Sequence, residues 1–116
     1  MRSHVLRWPD ADTVIGALTA WAQAVRVREP AVRAVGYFGS YARGDWGPGS
    51  DLDVIIVRDD AASDVLARAA SFDLTSLPVP ADLLVYTPAE LAKLEAGDTR
   101  FADVLRNETR WIVRAA

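Results

Sequence analysis

Apolar positions along the chain change period several times, and each change marks an element. Val14, Leu18, Trp21 and Val25 recur at helical spacing behind a Pro9-Asp10 start signal, which predicts a helix from about Asp10 to Arg28 that Pro30 ends. Val32 to Phe38 reads as a strand, with Val32, Val35 and Phe38 apolar and Gly36 a weak point. Gly39 to Ser50 holds four glycines and Pro48 in twelve residues, so it cannot be one regular element. Asp51 to Val57 reads as a second strand, and the unbroken Val54-Ile55-Ile56-Val57 run predicts burial on both faces. A short helix is expected from about Ser63 to Phe72, with Val65, Leu66 and Ala69 turned inward, followed by a loop over 73–80. Ala81 to Tyr86 reads as a third strand. Thr87-Pro88-Ala89-Glu90 is a capping box with proline at the first helical position, and Gly97 closes the helix it opens. Asp98 restarts a helix to about Asn107, and Trp111 to Val113 forms a last short strand.

The order α-β-loop-β-α-β-α-α-β gives a mixed α/β (α+β) layer around one sheet. With 116 residues and neither linker nor repeat, the expectation is a single domain over 1–116. Half the residues are hydrophobic (51%), so a core can form without disulfide or zinc staples, for which the chain has no cysteine. A cysteine-free chain with no long apolar run and no signal-peptide core in Met1–Trp8 is expected in the cytoplasm and off the membrane. Sixteen acidic against thirteen basic side chains, a net −3, argue against a sequence-independent grip on nucleic acid, which rests mainly on phosphate neutralisation. His4 stands alone near the terminus and carries no catalytic expectation, while Trp21 and Trp111 read as core.

The chemistry concentrates in Gly39-Ser40-Tyr41-Ala42-Arg43-Gly44 and Ser50-Asp51-Leu52-Asp53. A Gly-Ser pair directly after a strand can turn the chain, point backbone N–H groups at an anion and add the Ser40 hydroxyl. Asp51 and Asp53, at i and i+2 of a strand, project from one face. Like charges so close call for a cation between them, and oxygen-only ligands favour Mg²⁺ or Mn²⁺. Asp82 heads an otherwise apolar strand and is the candidate third ligand; Asp73, also between the strands, competes for that place. If strand 81–86 lies beside strand 51–57, the three carboxylates converge and could hold two metal ions. Arg43 is read as a triphosphate or partner contact, and Ser50 as bonding a carboxylate or the nucleotide. Trp46 is read as exposed, stacking on a base or meeting a partner.

Gly39-Ser40, ten residues, then Asp51-x-Asp53 resembles the Gly-Ser-x10-Asp-x-Asp signature of the DNA polymerase β-like nucleotidyltransferases, which arises by accident in such a chain about 10⁻³ of the time. The fuller string is similar to the minimal nucleotidyltransferase (MNT) branch. That resemblance implies a polymerase β-like palm: a small mixed sheet with helices packed on one side. It implies two Mg²⁺ ions held by Asp51, Asp53 and Asp82, and ATP as substrate with Ser40 on its phosphates. Asp82 would help to deprotonate the acceptor. Chains this short resemble the antitoxin of HEPN–MNT pairs, which transfers AMP to a tyrosine of its HEPN toxin. The alternatives are an antitoxin that silences its toxin by binding alone, and a nucleotidyltransferase acting on a small alcohol.

Overall fold

The structure, a computed structural model, describes residues 8–62 and 64–114, with the backbone alone at Val65 and Leu66. The inward orientation expected of Val65 and Leu66, and everything read from residues 1–7, His4 included, lie outside the described residues. The chain runs α1 (Ala11–Arg28), β1 (Val32–Phe38), α2 (Ser40–Arg43), β2 (Leu52–Arg58), α3 (Val65–Ala70), β3 (Ala81–Tyr86), α4 (Pro88–Glu95), α5 (Arg100–Asn107), β4 (Arg110–Arg114). The four strands form one sheet in the order β3-β2-β1-β4. β2 and β3 are parallel, and β1 is antiparallel to both β2 and β4.

The helix starts follow their capping residues. Asp10 accepts a hydrogen bond from the Thr13 amide at 2.8 Å and opens α1. Thr87 accepts from the Glu90 amide at 3.2 Å, and Glu90 Oε1 from the Thr87 amide at 2.9 Å, which completes the predicted capping box. α5 begins at Arg100 rather than at Asp98, because Thr99 supplies its cap by accepting from the Ala102 amide at 3.0 Å. α3 is shorter than the expected 63–72 span. One element was unforeseen: Ser40–Arg43 winds into a single helical turn inside the glycine-rich stretch.

The mixed α/β architecture is as expected, but its helices do not sit on one side. Val54 and Ile56 face α1 (Val14, Leu18, Trp21, Ala22, Val25), while Ile55 and Val57 face Leu91 of α4 and Leu105 of α5. The alternation of a strand makes this unavoidable once four successive residues are apolar: whichever face one helix covers, the other would stand in water. Val54, Ile55, Ile56 and Val57 are all buried, as their sequence predicts.

Two bulges adjust the sheet. Val32 pairs with Arg58 but Ala34 with Val57, so Arg33 is the extra residue and Val32 and Val35 both face α1 despite their spacing of three. On the other side Val35 pairs with Val113 and Gly36 with Trp111. A Cβ at Gly36 would lie 2.7 Å from the Arg110 carbonyl oxygen and 2.8 Å from Trp111 Cε3, so this glycine permits the close approach of β4. The 73–80 loop belongs to the core as well. Leu77 and Val79 are buried, and the Trp21 indole donates to the Asp73 carbonyl at 2.8 Å.

Not every arginine is a solvated one. Arg68 is buried and forks onto Glu90 at 2.7 and 3.0 Å, with further bonds to the carbonyls of Val85 (3.2 Å) and Ala62. It ties α3 to the end of β3 and the start of α4. Among the described residues, no helix is long and apolar enough to cross a membrane.

Candidate active site

The site begins where β1 ends. Gly39 has φ 78° and ψ −150°, a backbone region open essentially to glycine alone. A Cβ there would also overlap Oδ2 of Asp53, so glycine is required twice, for the turn and for the carboxylate lying against it. The amides of Ala42 and Arg43 both return to the Gly39 carbonyl at 3.0 Å, which closes the α2 turn. The amides of Ser40 and Tyr41, first in that turn, have no acceptor within the helix, as at any helix start. Gly44 (φ 87°) ends the turn in the left-handed region, with its amide 2.9 Å from the Ser40 carbonyl oxygen.

The sheet register assembles the carboxylates. β3 lies beside β2, and Asp53 is directly opposite Asp82 in the parallel ladder. Neighbouring strands are about 4.8 Å apart, and residues in register project from the same face. Phe38 is opposite Asp53 on the other flank, so Asp82, Asp53 and Phe38 form a row across three strands. Asp51 is exposed and lies just ahead of β2.

Burial raises the carboxyl pKa of Asp53, the charges of Asp82 and Asp51 raise it further, and Arg43 works in the opposite direction. Among the described residues, none of the three carboxylates has a hydrogen bond or ion pair. Asp73 is a different case. Its carboxylate accepts from the amide and hydroxyl of Thr75 at 2.9 and 2.6 Å, an internal turn of its loop, and it lies outside the β2–β3 ladder. The third acidic group beside β2 is therefore Asp82.

Among the described residues, no three His, Cys, Asp or Glu side chains are grouped so that together they could hold a metal ion. The convergence expected of the carboxylates holds for the Asp53–Asp82 pair, with Asp51 at the rim rather than closing a third side. A hard divalent cation such as Mg²⁺ is usually bound by one or two carboxylates plus water and substrate phosphates, not by an all-protein cage. Two register-paired carboxylates that form no ion pair among the described residues fit that donor set.

The remaining candidates are placed as follows. Ser40 is half-buried at the head of the turn. Among the described residues Ser50 bonds to no carboxylate: its hydroxyl accepts from the Gly47 amide at 2.9 Å, and it closes the loop that delivers Asp51. Arg43 pairs with Asp45 at 3.0 Å and Glu108 at 3.2 Å. Trp46 is not the exposed indole expected. It is half-buried, stacked on buried Tyr41 with ring centroids 5.6 Å apart and planes 7° apart, and the Trp8 indole donates to the Tyr41 hydroxyl at 3.1 Å. Two neighbours escaped sequence reasoning. Phe38 was legible as the residue just before the Gly-Ser turn, whereas nothing local connects Glu108 with Arg43, 65 residues away.

A profile described as a nucleotidyltransferase domain matches residues 20–112. The sequence matches no curated protein. Among solved structures, a protein of Sulfolobus solfataricus assigned to the nucleotidyltransferases superposes with a TM-score of 0.62 at 19% identity, over 87% of this chain and 80% of that one. A toxin–antitoxin crystallised with AMP-PNP gives 0.56 at 16% identity, over 92% of this chain and 75% of that one. A mutant of the toxin–antitoxin MntA-HpeT gives 0.54 at 14% identity, with the same coverage. At such identities the likeness is one of fold.

Proposed function

Because the chain belongs to the nucleotidyltransferase domain family, as the match over residues 20–112 establishes, we propose that it transfers AMP from ATP to a hydroxyl of a partner protein, a tyrosine of a HEPN-type toxin, and so acts as an antitoxin in the cytoplasm. The observation that carries this reading is the Asp53–Asp82 register pair, whose Asp53 carboxylate lies against Gly39 at the head of the turn. The toxin partner is supported by the solved toxin–antitoxin relatives, one of them crystallised with AMP-PNP. The tyrosine and the HEPN class rest on the resemblance of the motif to the MNT branch.

In this mechanism Asp51, Asp53 and Asp82 would hold two Mg²⁺ ions, which supply charge neutralisation at the triphosphate and a more acidic acceptor hydroxyl. Ser40 donates its hydroxyl to a phosphate oxygen, and the amides of Ser40 and Tyr41 face the same anion. Asp82, on the edge strand and open to solvent, takes the acceptor proton. The acceptor oxygen then forms its bond to the α-phosphorus as the bond to pyrophosphate breaks. Rate enhancement comes from alignment and from charge stabilisation rather than from covalent catalysis.

The test is to incubate the chain with a HEPN-type toxin protein, radiolabelled ATP and Mg²⁺, and to measure label and intact mass. The expected result is AMP on the partner, reduced about a hundredfold or more by Asp53→Asn. Labelling by that variant at the wild-type rate would remove the site assignment. A silenced toxin carrying no added AMP would point to masking instead.

A further inference from the structure

Arg43 closes α2, and its guanidinium is gripped from two directions. Nε donates to Asp45 Oδ2 at 3.0 Å and Nη1 to Glu108 Oε1 at 3.2 Å, while Nη2 makes no hydrogen bond among the described residues. The two carboxylates arrive by unrelated routes. Gly44 reverses the chain so that Asp45 returns beside Arg43, and Glu108 is the C-cap of α5 at the entry to β4. An unrestrained arginine samples many rotamers and loses that freedom on meeting a ligand, whereas a fork fixed at two nitrogens has already lost it. The pairs are partly exposed, so they restrain the side chain without withdrawing it from solvent. Arg43 also stands close enough to the carboxylate row for its charge to be felt at Asp53.

We propose that Glu108, together with Asp45, is a positioning residue that presets Arg43 to donate its free Nη2 to a phosphate oxygen of the nucleotide. The inference rests on the nucleotidyl-transfer reading above. It has a sign that plain electrostatics does not share. A carboxylate near a triphosphate repels it, so if Glu108 acted only through its charge, removing it would tighten nucleotide binding. If it acts by holding Arg43, removing it loosens binding.

The experiment is calorimetric titration of the full chain, with Mg²⁺ present, by α,β-methylene-ATP, whose bridging carbon the transfer cannot cleave. Glu108→Ala is expected to weaken binding about fivefold, the scale of one partly exposed ion pair. Glu108→Gln, which keeps an acceptor for Nη1, should stay within about twofold of wild type. Arg43→Ala should weaken binding, and adding Glu108→Ala to it should weaken it no further, because the effect runs through Arg43. Asp45→Ala should move in the same direction as Glu108→Ala, a second route should that variant fold poorly by circular dichroism. Equal or tighter binding by Glu108→Ala, or further weakening in the Arg43→Ala background, overturns the inference. A wild-type chain that does not bind the analogue takes the nucleotidyl-transfer reading down with it, whereas binding that ignores Glu108 leaves that reading standing.

Discussion

Asp53 carries a conflict that explains its surroundings. Its carboxylate is half-buried, faces two other acids and has no cation bonded to it among the described residues, so the folded chain holds its proton more tightly than the unfolded chain does. The sign follows from linkage. Above its raised pKa the charged carboxylate opposes folding, and the penalty fades as the pH falls through that value toward the ordinary carboxylate range. Asp53→Asn is therefore expected to raise the melting temperature of the metal-free protein by a few degrees at neutral pH while abolishing transfer, the usual opposition between stability and a poised site. Thermal denaturation with a chelator present measures the first effect. A lower melting temperature for the variant would mean that the like-charge repulsion is already relieved in the folded chain.

Among the elements, α3 is tied to its neighbours through the Arg68 side chain. Arg68 joins it to the Val85 carbonyl and to Glu90, and the same Glu90 carboxylate caps α4. The Arg68 guanidinium, helped by the Thr87 amide, pulls the Glu90 pKa down to about 2. Stability from this link is fully present above the ordinary glutamate range and is lost as the pH falls from there toward 2. Glu90→Gln should therefore melt below wild type at neutral pH, and the gap should close as both are titrated into acid. A gap that persists unchanged at the acid end would assign the loss to the capping hydrogen bonds instead. The strands were legible from their apolar runs, and even the two-faced burial of β2 was written in four successive residues. The α2 turn was not, because a four-residue helix has no period to read and its Gly39 and Gly44 ends look like loop glycines.

For the whole molecule, the row of acids, the Gly39-Ser40 turn and Arg43 gather at one end of the sheet from separate stretches of chain, so a bound nucleotide would cross-link them. A ligand bound only by the folded state stabilises by about 2.7 kcal/mol at a hundredfold excess over its Kd. In a chain of this size that is a rise in melting temperature of roughly 10 °C. ATP with Mg²⁺ should produce such a shift in wild type. Chelation of the metal should remove it, and Asp53→Asn should show little of it. A full shift in the chelated protein would mean that the nucleotide binds without a metal.

Local order was decided by the sequence alone: where helices start and strands run, and that glycine, serine and two aspartates stand at the spacing of the nucleotidyltransferase signature. Those features depend on neighbours within a few residues, through capping, side-chain alternation and turn geometry. Tertiary structure alone decided that Asp82 rather than Asp73 stands beside Asp53, that helices cover both faces, that Trp46 stacks on Tyr41, and that Glu108 holds Arg43. Each of these joins residues distant in the chain, and strand register with side-chain packing, which no local pattern encodes, selects the partner.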